Sequence, residues 1–473
     1  VRVRACYKPG SALPASISSG DILSFFESAQ ALAFVLLVTF LAYVAILLVP
    51  FLTRKPDPEG DPTLFDWHFF IPCRDEEVVI KNTVRSLVTQ FPGAHIWVID
   101  DDSEDSTAEV VVAMSRENSK IHLIQRRRPN ARTGKGDALN AAYAALNAWL
   151  PAATDRTRCI VAVVDGDGEL APNALAQASG SLAFGDPTVG AAQAAVWMRN
   201  RNDPNPASGN SRLKQAMARY LVRMQDIEFR TTIAAMQSLR RHTLSVGLGG
   251  NGQFTRLSAL DAVADIAKRP WHGGLLEDYE LAIHIMLAGH HTVYMHDTHV
   301  SQEALPSVRR LLTQRTRWCQ GGMQCSRYLK NIFVSPHFTN LGALESSYFL
   351  LIPYVQLIGL FLWPALFLSM IGSGAVTAGS VALWLSQAWW LIPLILLTGV
   401  VPFALWGPIY RRQAEPGRNF FMGLVWGVGY WLYMYQSYVC VLRAGFRMLT
   451  GRNGWAKTRR NNESDAQLLA KEA

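Results

Sequence analysis

Four stretches of this chain, residues 31–52, 346–371, 381–409 and 420–442, contain no Asp, Glu, Lys or Arg. At about 1.5 Å per residue, a helix as long as the first stretch reaches about 33 Å, enough to cross a bilayer core of about 30 Å. A helix buried in a soluble core seldom stays uncharged for so long, so the bands read as membrane segments. The last three are rich in Trp and Tyr, residues that favour the membrane–water interface. Pro353, Pro364, Pro393 and Pro402 are tolerable inside a spanning bundle. A signal peptide is a poorer reading of the first band, which is too long and lacks a small-residue cleavage site after it. Charged residues make up 17% of the chain, against about 25% in soluble proteins, and the bands account for the deficit. This composition excludes intrinsic disorder, a coiled coil, a collagenous repeat and a small disulfide scaffold. Six scattered cysteines (Cys6, Cys73, Cys159, Cys319, Cys325, Cys440) form no CxxC and no zinc spacing, as suits a reducing compartment. Val1 fits either a piece of a longer chain or a non-AUG start codon read literally.

Basic residues orient the bands. Arg54 and Lys55 place the central region in the cytoplasm, and Arg411, Arg412 and Arg418 place the loop before the last band there too. A conflict follows. Three simple crossings after a cytoplasmic domain put the C-terminus outside, yet residues 443–460 hold Arg443, Arg447, Arg452, Lys457, Arg459 and Arg460 and no acid. One band is therefore expected not to be a simple crossing, and 420–442 is the candidate because Gly423, Gly427 and Gly429 could break it.

Between the bands, short apolar runs alternate with helical patterns. Residues 67–73, 95–100, 121–126 and 159–165 read as strands, and 76–90, 106–116 and 137–150 as helices. That alternation predicts a doubly wound α/β sheet, whose ligands bind at the carboxyl ends of the strands. Asp75 and Glu76, Asp100 and Asp101, and Asp165 and Asp167 all fall at such ends. Familiar motifs fail here. DGDGEL has Leu170 where a calcium loop needs Gly, TGKGD lacks the flanking residues of a Walker loop, and IPCRDEE is no dinucleotide fingerprint. Two carboxylates one residue apart, Asp165 and Asp167, can share a hard cation, Mg²⁺ or Mn²⁺. Such an ion neutralises charge growing on a leaving nucleoside diphosphate. Lys135, flanked by Gly134 and Gly136, can add a point charge to the same phosphates. Each feature alone also has a plain structural reading: an Asp-Gly turn, or a solvated loop lysine.

Taken in order, IPCRDEE, VIDDDSEDST, GKGDALNAA, VVDGDGEL, GLGGNGQFTR, LLEDYELAIHIMLAGH and QRTRW resemble the motifs of membrane-bound family 2 glycosyltransferases of the GT-A fold, from about residue 69 to 318. Asp102 and Leu276 depart from the usual Gly and Thr. The resemblance implies that Asp75, Glu76, Asp100 and Asp101 line a nucleoside pocket, with Lys135 and Asp165 on the nucleotide and Asp165 and Asp167 on the metal. It implies that Asp278, preceded by Glu277, is the catalytic base. Gln314, Arg317 and Trp318 would bracket diphosphate and acceptor, with Gly250 and Asn251 on the acceptor-side loop. A carboxylate is suited to take a proton from an acceptor hydroxyl, although an acid at a helix start is also favoured by the helix dipole alone. The implied division is an N-terminal segment 1–29, a transmembrane helix 30–53, a cytoplasmic GT-A catalytic domain 54–304, amphipathic interface helices 305–340, a membrane bundle 341–445, and a basic then polar tail 446–473. The interface segment carries Arg309, Arg310, Arg315, Arg317, Arg327 and Lys330 and can lie on an anionic bilayer face.

The expected activity is an inverting, metal-dependent transfer from a UDP-sugar to a growing β-linked polysaccharide at the inner membrane, as in cellulose, chitin or hyaluronan synthases. The rival is transfer of one sugar to a lipid, which the small number of expected spans favours. A secretion partner or homo-oligomer is compatible with such an enzyme. Ion-coupled transport ranks low because residues 346–409 carry no ionisable acid or base. A non-catalytic sensor ranks low because the expected acids are all present, and no nucleic-acid reader module is visible.

Overall fold

The computed structural model describes residues 19–207, 209, 211–372, 374, 376–452 and 454. The segment before residue 19, with Cys6, and Lys457, Arg459 and Arg460 of the tail lie outside the described residues. Helix α1 (Ser19–Thr53) leads into the sheet-forming region. There the elements alternate as expected: β1 (Asp66–Cys73), α2 (Glu77–Gln90), β2 (His95–Asp101), α3 (Thr107–Glu117), β3 (Ile121–Arg126), α4 (Lys135–Trp149) and β4 (Cys159–Val163). β1, β2 and β4 read as continuous apolar runs because both of their faces are covered, as parallel strands between helix layers require.

The second half of the sheet is mixed rather than parallel. After β5 (Glu169–Leu170) and α5 (Ala174–Ala178) come β6 (Val189–Met198), α6 (Arg212–Ile227), α7 (Ala234–Thr243), β7 (Gln253–Arg256), α8 (Leu257–Ala267), α9 (Glu277–Leu287) and β8 (His291–Gln302). The strand order is β3-β2-β1-β4-β7-β6-β8-β5, with β7 antiparallel to both β4 and β6. α6 and α7 are joined through a π-helical turn, Glu228–Ile233. The chain then forms α10 (Val308–Cys325), α11 (Leu329–Val334), α12 (Asn340–Gly372), α13 (Ala378–Ala388), α14 (Leu391–Ala404), α15 (Trp406–Ala414), α16 (Phe420–Met434) and α17 (Gln436–Leu449).

Among the described residues, three helical stretches are long and apolar enough to cross a membrane: Phe34–Thr53, Asn340–Gly372 and Leu391–Ala414. Their large side chains face outward: Ile358, Phe361, Phe367 and Leu368 on α12 and Ile395, Leu396 and Leu397 on α14 are exposed. Water would penalise this surface and lipid does not. The fourth band, 420–442, is broken as expected, but at Tyr435 and not at its glycines. Gly423 and Gly427 instead let α16 press onto α15. A Cβ on Gly407 would collide with the Gly423 and Gly427 backbones, and one on Gly427 would collide with the Ala404 carbonyl. α17 then lies on α10, where Gln320 donates to the Arg452 carbonyl at 2.9 Å and accepts from Arg447 at 2.7 Å. The described basic run from Arg443 to Arg452 is therefore tied to α10, next to the sheet domain.

The two parts are joined by a buried ion pair. Arg240, in the last turn of α7, donates to Glu345 of α12 at 2.8 Å, with both side chains under 5% exposed. Tyr43 of α1 and Ser245 donate to the same carboxylate at 3.3 Å. Breaking a buried pair by removing one partner typically costs about 3–5 kcal/mol, because the other charge is left stranded. Arg240→Met is therefore expected to lower thermal stability in detergent by that order, and Arg240→Met with Glu345→Met to recover at least half of the loss. Thermal melts of the variants, followed by tryptophan fluorescence, check this.

Candidate active site

The carboxyl ends of β1 and β4 and the starts of α4 and α9 converge on one cavity of about 640 Å³. Its walls include Glu76, Asp101, Lys135, Asp165, Asp167, Gly250, Asn251, Glu277, Asp278, Gln314, Arg317 and Trp318. Segments from four distant parts of the sequence thus meet where the sheet topology places ligands.

Asp75 and Asp100 are not among the lining residues. Asp75 accepts from the Glu104 backbone at 2.8 Å, and its own N–H donates to Ser103 at 3.0 Å, so it ties the β1 loop to the β2 loop. Asp100 accepts from the Ser103 N–H at 3.0 Å and pairs with Arg127 at 3.1 Å. Both acids shape the loops beside the cavity. Asp101 does line the cavity and is held by Arg126 and by the Arg132 N–H at 3.1 Å. Asp102, the departure noted in the sequence, sits at φ 64° and pairs with Arg128 at 2.8 Å and Arg132 at 3.1 Å. Asp tolerates this left-handed backbone better than most residues.

The centre of the site is Lys135. Its ammonium lies 2.6 Å from an Asp165 oxygen and donates to the Gly250 carbonyl at 2.5 Å. It also stands beside Asp278, since a Cβ on Gly250 would lie 2.9 Å from Lys135 Nζ and 3.2 Å from Asp278 Oδ2. Burial alone would push the lysine pKa down, but the charges of Asp165 and Glu277 reverse this and hold it above its usual value. Burial raises both Glu277 and Asp278 above the ordinary carboxylate range, and the Glu277 charge raises Asp278 further, against Lys135. Asp278 Oδ1 accepts the Tyr279 N–H at 2.7 Å, which leaves Oδ2 toward the lysine. A carboxylate held in this state is suited to accept a proton near neutral pH.

Asp165 and Asp167 are hard oxygen donors on one wall, and the Glu76 carboxylate packs against the intervening Gly166, where a Cβ would displace it. The donor chemistry fits Mg²⁺ or Mn²⁺. Asn251 accepts the Asp165 N–H at 3.1 Å, and Gln193 holds this loop by donating to the Asn251 carbonyl and accepting from the Gly249 N–H. On α10, Gln314, Arg317 and Trp318 are spaced i, i+3, i+4 and so share one face. Behind them Arg315 pairs with Glu228 at 2.6 Å and lies 4.4 Å from the Trp318 ring.

Several wall residues had no sequence signal. Glu228 and Phe229 reach the cavity from the π-helical turn, a distortion often found at functional sites. Gln193 comes from within β6, Gln302 from the end of β8 and Glu303 from the residue after it. Tyr348, Phe349, Ile352 and Pro353 of α12 and Gln436, Cys440 and Val441 of α17 extend the cavity toward the membrane helices.

A family model described as glycosyltransferase-like family 2 matches residues 66–321. The chain is 28% identical over 263 residues to a beta-monoglucosyldiacylglycerol synthase of Trichormus variabilis, covering 55% of this chain and 49% of that protein. It is 27% identical over 277 residues to a poly-beta-1,6-N-acetyl-D-glucosamine synthase of Staphylococcus aureus, covering 57% and 58%. The match thus spans about half the length of these curated relatives. A mannosyltransferase from Pyrobaculum calidifontis, solved in complex with GDP-Man and Mn²⁺, superposes with a TM-score of 0.52 at 16% identity, covering 87% of this chain and 97% of that one. At that identity the likeness is one of fold, a GT-A sheet domain with attached helices.

Removing the central cation leaves three acids without their shared counter-ion. Lys135→Ala is expected to lower kcat by about 100-fold or more, the scale of losing one preorganised electrostatic contact, with a far smaller effect on the melting temperature. Steady-state kinetics and thermal melts on the same preparation measure both.

Proposed function

The chain belongs to glycosyltransferase family 2, and from that premise we propose that it transfers a single sugar from a UDP-sugar to a lipid acceptor taken from the membrane. The observation that carries this reading is the continuity of the cavity. The carboxylates and Lys135 line one end, and apolar and aromatic side chains of α12 and α17 line the other. A volume of about 640 Å³ suits one donor and the head of one acceptor, within the usual range of about 300–1,000 Å³ for ligand sites. Three candidate spans among the described residues are few to enclose a polymer path across a bilayer. The lipid acceptor is thus preferred to the polysaccharide that the QxxRW resemblance suggests. Similarity to a glucosyldiacylglycerol synthase supports the same acceptor class.

In this mechanism Asp278 takes the proton of the acceptor hydroxyl. The acceptor oxygen bonds to the anomeric carbon as that carbon's bond to the phosphate oxygen breaks, and UDP leaves with the electron pair. A single displacement inverts the anomeric centre. Lys135 and Arg317 face the negative charge that develops on the leaving diphosphate, where fixed cations lower the barrier. A divalent cation held by Asp165 and Asp167 would neutralise further charge on the same group. Trp318 offers a flat apolar face to the sugar, and Glu277 supports the Asp278 position by opening the same helix. Gly250 and Asn251 shape the acceptor side. Glu76 and Asp101 sit on the nucleotide side. The basic residues of α10, the Arg54–Lys55 pair and the basic end of α17 support a site at the cytoplasmic face of the inner membrane.

Asp278→Asn keeps the size of the side chain and loses its basicity. It is expected to reduce transfer by about 1,000-fold, at the scale of general-base loss, while UDP binding by calorimetry stays within threefold. Retained turnover would remove Asp278 from the base role. Purified protein given radiolabelled UDP-sugars, Mg²⁺ or Mn²⁺ and membrane lipid extract should yield one organic-soluble glycolipid. A high-mass, lipid-free product would replace the proposed acceptor with a growing polysaccharide.

A further inference from the structure

Helix α9 carries a second group of ligating side chains on the side away from the cavity. Glu280 and His284 are four residues apart and share a face of the helix, and His272 approaches them from the segment before it. One ligand atom from each lies within 4.8 Å of the other two. The two imidazole rings meet at 4.2 Å between centroids and 64° between planes. We propose that His272, Glu280 and His284 form a zinc site that staples the segment 268–276 onto α9.

Three observations support it. Two imidazole nitrogens and one carboxylate oxygen, with a fourth position for water, are a ligand set that Zn²⁺ takes tetrahedrally and that hard Mg²⁺ does not favour. The His284 ring is also held edge-on against Tyr328, 4.9 Å between centroids, an outer contact that orients a ligating ring. Glu280 keeps room for an ion. A carboxylate accepts at about four positions, and the contacts here are Arg327, Tyr328 at 2.7 Å and the Gly274 N–H at 3.1 Å.

The site touches both arms of the catalytic centre. The segment bearing His272 is tied to α4 through Asn140, which exchanges hydrogen bonds with the Trp271 backbone at 2.7 and 3.1 Å. A Cβ on Gly136, next to Lys135, would lie 2.8 Å from the His272 carbonyl. On the other side, Glu280 stands two residues after Asp278 on the same helix. An ion here would hold the lysine-bearing and base-bearing elements together without touching substrate, so the ligands are positioning residues.

The test uses full-length protein in detergent, stripped with chelator and then equilibrated with Zn²⁺, or with Co²⁺ as a spectroscopic probe, in excess Mg²⁺. The wild type is expected to keep one equivalent of Zn²⁺ per chain and to show the visible absorption of tetrahedral Co²⁺. His284→Ala and His272→Ala should weaken binding by at least about 100-fold, since even outer-contact losses reach that scale. Asp167→Asn should leave it unchanged. Metal occupancy is read by mass spectrometry and needs no activity assay. Absence of the Co²⁺ bands from folded wild-type protein, or equal Zn²⁺ retention by the His272→Ala/His284→Ala double variant, would overturn the proposal.

Discussion

The ion pair between Arg240 and Glu345 governs how this molecule is assembled. Glu345 is the last charged residue before the uncharged stretch that begins at residue 346, and it is buried against α7 at the membrane edge of the sheet domain. Tyr43 brings α1 to the same point. The Arg240 guanidinium also lies 4.4 Å from the Phe349 ring and 5.9 Å from that of Tyr279. Neither charge could be buried alone, so the pair admits one docking arrangement and disfavours others. Because Tyr279 follows Asp278, that arrangement fixes the candidate base relative to α12, which forms the far wall of the cavity.

Within the cavity the same electrostatic logic is concentrated further. Asp165 follows β4 while Glu277 and Asp278 are neighbours at the start of α9, and the three would repel one another in a dry site. Lys135 makes their approach tolerable, while burial, and for Asp278 also the Glu277 charge, keeps the α9 carboxyl pKa values raised. The arrangement holds a proton acceptor beside a fixed cation in the ligand-free protein. Its cost is local and is offset by the well-packed sheet beneath, where Phe69, Phe70, Ile71, Val98 and Val161 are fully buried.

The membrane part follows a different rule. Its helices expose apolar side chains where lipid would cover them, and close contact is made by small residues, as Gly407, Gly423 and Gly427 show. Those glycines suggested a break because glycine weakens a soluble helix. Beside another helix the missing side chain is a contact surface, and the chain bends at Tyr435 instead. A helix of α16's length cannot cross a bilayer, so the tail returns to α10.

The one-dimensional pattern was enough for whatever depends on local periodicity and spacing. The buried runs of β1, β2 and β4, the acids at their ends, the one-face spacing of Gln314, Arg317 and Trp318, and the uncharged bands were all legible before any coordinates. Contacts between distant residues were not. Asp75 and Asp100 carry the same strand-end signature as Asp101, yet only Asp101 lines the cavity, while Glu104, Ser103 and Arg127 tie the other two into the adjoining loops. Glu228 and Phe229 enter the site through one extra residue in a helical turn, which no composition marks. Arg240 and Glu345, and His272 and His284, have no sequence signal, because each pair becomes meaningful only when two segments meet. The sequence by itself determined the elements, the strand-end chemistry and the need for a bilayer, because these follow from periodic burial along the chain. Only the tertiary structure decided which acids line the cavity and where the chain after α16 packs, because those depend on the partners that packing brings within hydrogen-bonding reach.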